Sequence, residues 1–141
     1  MSEYVTYLEW KGGQQIALSA DQKPGLTVTP PKEFGGTGQE WSPEELMGGA
    51  VDSCLLLTTL YFVRTLKIEL TSYRSSATVQ MDRTADGLRF QEITLKIDAA
   101  VSKDEDVGKM KSAIEQAEAH CPVSAVVKCP VNVVLETRVE K

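Results

Sequence analysis

Residues 42–68, SPEELMGGAVDSCLLLTTLYFVRTLKI, constrain the fold of this chain more than any other stretch. Ser42 suits a helix N-cap, Pro43 suits the first helical position, and Glu45 stands three residues after the cap. Together they form a capping box. The residues that follow are apolar around most of the helical circumference, so this helix is expected to be central and buried. A helix of that kind needs cover on both sides. In a chain of 141 residues, a symmetric dimer is an economical way to supply it. Within the run, residues 46–63 are 18 residues with one charge, Asp52, which is the short end of a membrane span. The charge, the Gly48–Gly49 pair and the lack of a basic N-terminal flank favour a buried core helix instead.

The rest of the chain reads as short strands and two further helices. Residues 3–20 alternate apolar and polar on either side of Gly12–Gly13, the pattern of a hairpin. Residues 21–41 hold four of the ten glycines and three of the six prolines, and read as a loop with one short strand at LTVT. Residues 69–82 and 88–101 are two long alternating strands, with Asp86–Gly87 marking the turn. Residues 104–119 have helical spacing and end at His120; CPVSAVVK is a short third helix; PVNVVLETRVE is a last strand. Hairpins set apart from helices predict an α+β fold with an antiparallel sheet. No repeat or linker interrupts the chain, so residues 1–141 are expected to form a single domain.

Charge and cysteine usage narrow the function classes. The net charge of -5 argues against nucleic acid, which favours a basic face. The start, MSEYVTYLEW, lacks the basic-then-apolar pattern of a secretory signal. Three cysteines without such a signal point to reduced thiols in the cytoplasm rather than a disulfide framework.

The candidate chemistry lies in those thiols. Cys54 falls in the middle of the long helix, and Cys121 directly precedes Pro122 at the head of the third helix. Backbone N–H groups at a helix start favour thiolate over thiol. Two thiols far apart in sequence, one at such a position, suit a nucleophile and a resolving partner: peroxide oxidises one to a sulfenic acid, and the other condenses with it. Simple packing is the alternative, since free cysteine is among the most buried residue types. Cys129 lies eight residues past Cys121, about 12 Å away if the stretch is all helix, and reads as core. Cys54, His120, Cys121 and Cys129 make a poor zinc set, with no Cys-x-x-Cys pair and two adjacent ligands. GGTGQE lacks the lysine of a phosphate-binding loop.

SPEELMGGAVDSC, followed 65 residues further on by HCPVSAVVKCPVNVVL, resembles the OsmC/Ohr family of osmotically inducible and organic hydroperoxide resistance proteins. The matching pieces are Pro43–Glu44, Cys54 and Cys121–Pro122, and the order of strands and helices fits along nearly the whole chain. The resemblance implies an α+β OsmC-like fold, with antiparallel sheets wrapped around central helices in an intertwined homodimer. It implies reduction of organic hydroperoxides by a cytoplasmic enzyme that needs no cofactor or metal, engages no nucleic acid or membrane, and is recycled by an external dithiol reductant. Cys54 would be the peroxidatic thiol, Cys121 the resolving thiol, and Glu44 the active-site carboxylate. Phe34, Trp41 or Tyr61 would help the central helix form a pocket for an apolar peroxide. The sequence departs from the family in one respect. An arginine in the N-terminal part activates the thiolate of the best-known members, yet residues 1–63 here contain none, only Lys11, Lys23 and Lys32. Lysine cannot supply the two-pronged contact of a guanidinium. The second expectation is therefore an OsmC-like ligand-binding or sulfur-handling protein with one reactive thiol. Glu44 and Cys54 are ten residues apart on one predicted helix, about 15 Å, unless it breaks at Gly48–Gly49. Asp52, two residues before Cys54, would raise a thiol pKa rather than lower it.

Overall fold

The structure, a computed structural model, describes residues 1–141. The chain divides into two compact units, Met1–Met47 and Gly48–Lys141. In the first, β1 (Tyr7–Gly12) and β2 (Gln15–Ser19) form the expected hairpin. Gly12 turns the corner at φ 101°, which a side chain would resist. The Trp10 indole N–H donates to the Gly13 carbonyl across the turn at 3.0 Å. β3 (Leu26–Val28) pairs antiparallel with β2, giving the order β1-β2-β3. β1 is exposed almost throughout, with Leu8 66% and Trp10 72% accessible.

The capping box forms as the sequence predicts. The Glu45 N–H donates to Ser42 Oγ at 3.2 Å, while Glu45 Oε1 accepts the Ser42 N–H at 3.1 Å and its hydroxyl at 2.9 Å. From it runs α1 (Pro43–Thr65), with no break at Gly48–Gly49.

In the second unit, β4 (Leu70–Thr84) and β5 (Gly87–Val101) form a long antiparallel hairpin. Gly87, at φ 101°, closes it, and its carbonyl accepts the Thr84 hydroxyl at 2.8 Å. The chain then passes through α2 (Asp106–His120) and α3 (Pro122–Val126) to β6 (Val131–Val139). β6 pairs with β5 in parallel, so this sheet is mixed where the sequence suggested antiparallel pairing throughout. The reason is the connection: a helical crossover carries the chain back to a point opposite Ile93, midway along β5, which a tight turn cannot do.

Alternation along β5 sorts the two faces of this sheet. Ile93, Leu95, Ile97, Ala99 and Val101 are buried, and Val131, Val133 and Leu135 of β6 stand in register with three of them. The other face carries Arg74, Lys96, Asp98 and Glu136, with Arg138 paired to Asp98. Val51, Leu55, Thr59 and Val63 form the buried stripe of α1, and Met110, Ala113, Ile114 and Ala117 that of α2. The buried Asp106 carboxylate fixes the start of α2: it accepts the Glu69 N–H at 3.1 Å and pairs with Lys109 at 3.6 Å.

The expectation that α1 is buried all round is not met within one chain. Its far side leaves Leu57 68% exposed, with Leu60 and Tyr61 also in the open. By length and composition alone, α1 is apolar enough to cross a membrane. It instead lies close against β4: a Cβ placed on Gly48 would stand 2.9 Å from Val79 Cγ2 and 3.5 Å from Ala77 Cβ, whereas one on Gly49 meets nothing within 4 Å. Gly48→Val is therefore expected to cost about 1–3 kcal/mol by overpacking. Gly49→Ala should gain up to about 1 kcal/mol in helix propensity. Urea denaturation of the two variants checks the opposite signs.

Candidate active site

Cys54 and Cys121 come together although they lie 67 positions apart in the sequence. The middle of α1 carries Cys54, and the bend between α2 and α3 carries Cys121. Pro122, at the first position of α3, cannot extend α2 and forces that bend. Each of the two thiols influences the ionisation of the other, and both are free. Cys121 is buried, with 2% of its surface exposed, whereas Cys54 is half-buried.

The donors around the pair are unevenly shared. Burial pushes the Cys54 thiol up; the Val123 N–H and the Thr58 hydroxyl oppose this, and the adjacent Cys121 sulfur reinforces it. The net direction is upward. Burial acts the same way on Cys121, but there it is outweighed by the Ser124 hydroxyl and N–H, the Cys54 thiol and the Val123 N–H, so Cys121 is held below an ordinary thiol. No side-chain cap bond of usual geometry closes the start of α3, yet its first amides still stabilise charge on that sulfur. The two titrations are linked, with the Cys54 thiol pushed up and the Cys121 thiol held down. The leading influences on both sulfurs are neutral groups.

The carboxylates behave differently from one another. Both Asp52 oxygens accept the Ser75 hydroxyl at 2.9 Å, which anchors α1 to β4 and accounts for an acid on an apolar helix. Glu44 lies in the first turn of α1, where a negative charge suits the helix dipole. Its Oε1 is buried without a hydrogen-bond partner.

The family model described as OsmC-like protein matches residues 36–136, a span that includes Glu44, Cys54 and Cys121. The chain belongs to the OsmC-like family. Over 91 residues it is 31% identical to Peroxiredoxin OsmC of Escherichia coli K12, a match that covers 64% of this chain and spans 63% of that relative's length. An OsmC-like protein of unknown function from Vibrio cholerae superposes with a TM-score of 0.84 at 17% identity, covering 97% of this chain and 99% of the other. An organic hydroperoxide resistance protein from Elizabethkingia anophelis gives 0.74 at 20% identity, covering 99% of both. At such identities the structural likeness speaks for the OsmC-like α+β fold alone.

The remaining residues of interest in this OsmC-like chain separate from the thiol pair. The His120 ring packs on Phe62 at 5.6 Å between centroids, two turns of α1 past Cys54, and its Nδ1 hydrogen-bonds the Gln116 carbonyl at 2.8 Å. Cys129 is half-buried rather than core, because α3 stops at Val126. It lines a cavity of about 230 Å³ with Val51, Leu55, Glu118, Ser124 and Val133. Burial and then Glu115 raise the Glu118 carboxyl pKa. Phe34, Trp41 and Tyr61, expected to line a pocket, are exposed. Lys11 pairs with Glu9 at 3.0 Å, and Arg64 lies 5.7 Å over the Tyr61 ring.

Sequence reading passed over Thr58 and Ser124, whose positions carried a signal. Thr58 is four residues after Cys54, on the same helix face, and its hydroxyl also donates to the Cys54 carbonyl at 2.8 Å. Ser124 is three residues after Cys121 and donates to the Cys121 carbonyl at 3.3 Å.

Asp52 also reaches Tyr73, whose hydroxyl is buried without a partner. Burial first, and the Asp52 charge second, push the Tyr73 phenol well above its ordinary range. The phenolate is the form penalised, so Tyr73 should stay protonated to a higher pH than an ordinary phenol. Titration by ultraviolet absorbance is expected to show one tyrosine that ionises late, and Asp52→Asn should bring it down.

Proposed function

We propose that this OsmC-like protein is a thiol-dependent peroxidase that reduces organic hydroperoxides to alcohols. The observation that carries the reading is that the fold brings Cys54 and Cys121 near enough to influence each other's ionisation, with Cys54 the more accessible of the two. Cys54 attacks the terminal peroxide oxygen, the O–O bond breaks, and a Cys54 sulfenic acid and an alcohol result. The Cys121 sulfur then displaces hydroxide to form a Cys54–Cys121 disulfide. An external dithiol takes up the disulfide by exchange and leaves oxidised itself. The names of the Escherichia coli and Elizabethkingia anophelis relatives support a peroxide-related role.

Glu44 is assigned as the site carboxylate; its buried, unpartnered oxygen awaits a donor. We assign residues 1–141 to one OsmC-like domain that works in the cytoplasm as a homodimer. The uncovered side of α1, with Leu57, Leu60 and Tyr61, and the apolar side chains of β1 are the surfaces a second copy would cover.

A second reading has its own support. Residues 1–63 hold no arginine, and burial raises the Cys54 thiol rather than lowering it. An OsmC-like module that binds a ligand or handles sulfur through one reactive thiol fits those two facts.

Stopped-flow reaction of the reduced protein with one equivalent of cumene hydroperoxide separates the two readings. Rapid peroxide loss is expected, with a Cys54–Cys121 disulfide in the peptide map. Cys54→Ser should reduce the rate to that of the remaining free thiols, and Cys121→Ser should leave a trappable sulfenic acid. Wild-type consumption no faster than a thiol in solution favours the binding module. Sedimentation is expected to give twice the chain mass, and Leu60→Asp should shift it toward the single chain.

A further inference from the structure

Part of the inner face of the mixed sheet lacks cover. Ile93, Leu95 and Ile97 of β5 are fully buried. Their register partners on the same face, Val131, Val133 and Leu135 of β6, are only half-buried. The cause lies in the chain just before β6. α3 has five residues, buries none of them and stops at Val126, and Val127 is already extended. The connection therefore supplies no further helix to pack on β6.

What remains is the cavity of about 230 Å³. Its apolar wall comes from Val51 and Leu55 of α1, Leu95, Val131 and Val133. A cavity of about 150 Å³ with apolar walls stays dry and admits benzene, and this one is larger by roughly half. Three polar side chains join the wall: Ser124, Glu118 and Cys129. Ser124 directs its proton to the Cys121 carbonyl at 3.3 Å, which leaves lone pairs on its oxygen to accept. Glu118 is exposed, so the cavity opens beside it, and Glu115 stands three residues earlier on α2. Two acids at the mouth oppose an entering anion. The raised Glu118 carboxyl expresses the same resistance to added negative charge.

We infer that this cavity is a binding site for a small uncharged alcohol, whose apolar body lies on Val51, Leu55 and Val133 and whose O–H donates to Ser124 Oγ. Branched and aryl-alkyl alcohols somewhat larger than benzene are the class that fits its volume and walls. Cys129 is part of the wall, so an occupant covers its sulfur. Cys54 does not line the cavity, although its neighbours Val51 and Leu55 do. The site is thus distinct from the surface on which a substrate meets Cys54, and it stands or falls independently of the peroxidase reading.

The probe is 2-phenyl-2-propanol, added to the reduced protein with no peroxide present. Calorimetry is expected to give one site per chain. Cumene, which lacks the hydroxyl, should bind about fivefold more weakly, and the alcohol should lose about the same factor on Ser124→Ala. Phenylacetate should be rejected by the wild type and admitted by Glu118→Gln. Val133→Phe puts a ring into the cavity and should abolish binding without lowering the thermal midpoint. Ala125→Leu, on the α3 side of the wall, gives a second blocked variant should the strand variant fail to fold. Iodoacetamide alkylation of Cys129, read by peptide mass, should slow about tenfold when the alcohol is at about ten times its Kd. Absence of binding overturns the inference. So does phenylacetate binding as tightly as the alcohol, undiminished binding in Ser124→Ala or in a folded blocked variant, or alkylation of Cys129 at an unchanged rate.

Discussion

The packing of α1 against the sheet of β4, β5 and β6 is the constraint on which the second unit depends. The helix comes close because Gly48 has no side chain to hold Ala77 and Val79 away. Asp52 then ties it to Ser75, and Val51, Leu55, Thr59 and Val63 complete the buried stripe. That seating fixes the rotation of the helix about its axis, and rotation decides where Cys54 points. The same rotation leaves Leu57 and Leu60 without cover from their own chain. Apolar surface of that extent is costly in water, which is the physical argument for a second copy.

The thiol pair lies in a chain whose residues 1–63 contain no arginine. A cation would favour a thiolate through charge; the leading influences on these sulfurs are hydroxyls and amides, which act through short-range dipoles. Dipoles are directional, so they distinguish between two adjacent sulfurs as a distant charge does not. Salt screens an exposed ion pair strongly and buried hydrogen bonds little. The opposite directions of the two thiols thus follow from neighbouring dipoles rather than from net charge.

Features governed by neighbours in sequence were legible before the structure. The capping box at Ser42 and Glu45, the turns at Gly12 and Gly87, and the period of each strand depend on residues a few positions apart. The family and its fold were legible through the resemblance carried by Pro43–Glu44, Cys54 and Cys121–Pro122. Features governed by distant partners were not legible. The parallel seating of β6 depends on how far α2 and α3 carry the chain back. The meeting of Cys54 with Cys121 depends on the tilt of two helices, which no local pattern encodes. The sequence also cannot say whether an apolar helix is covered by its own chain or by another, so α1 read as buried on every side. Cys129 read as core because the helix before it was expected to run on; it ends at Val126, and the thiol opens onto a cavity.

The position of Cys121 beyond the β4–β5 hairpin has a thermodynamic consequence. A disulfide from Cys54 to Cys121 would enclose most of α1, the whole hairpin and α2 in a loop spanning 67 residues. Closing a loop of that length in the unfolded chain removes entropy equivalent to about 4 kcal/mol. The oxidised protein would then be the more stable form by a margin comparable to a small domain's whole folding energy. By linkage, the folded chain makes its own disulfide harder to reduce than the same bond in an open peptide. The site would therefore suit a strongly reducing dithiol partner, and oxidation would leave the protein most resistant to unfolding while it waits for that partner.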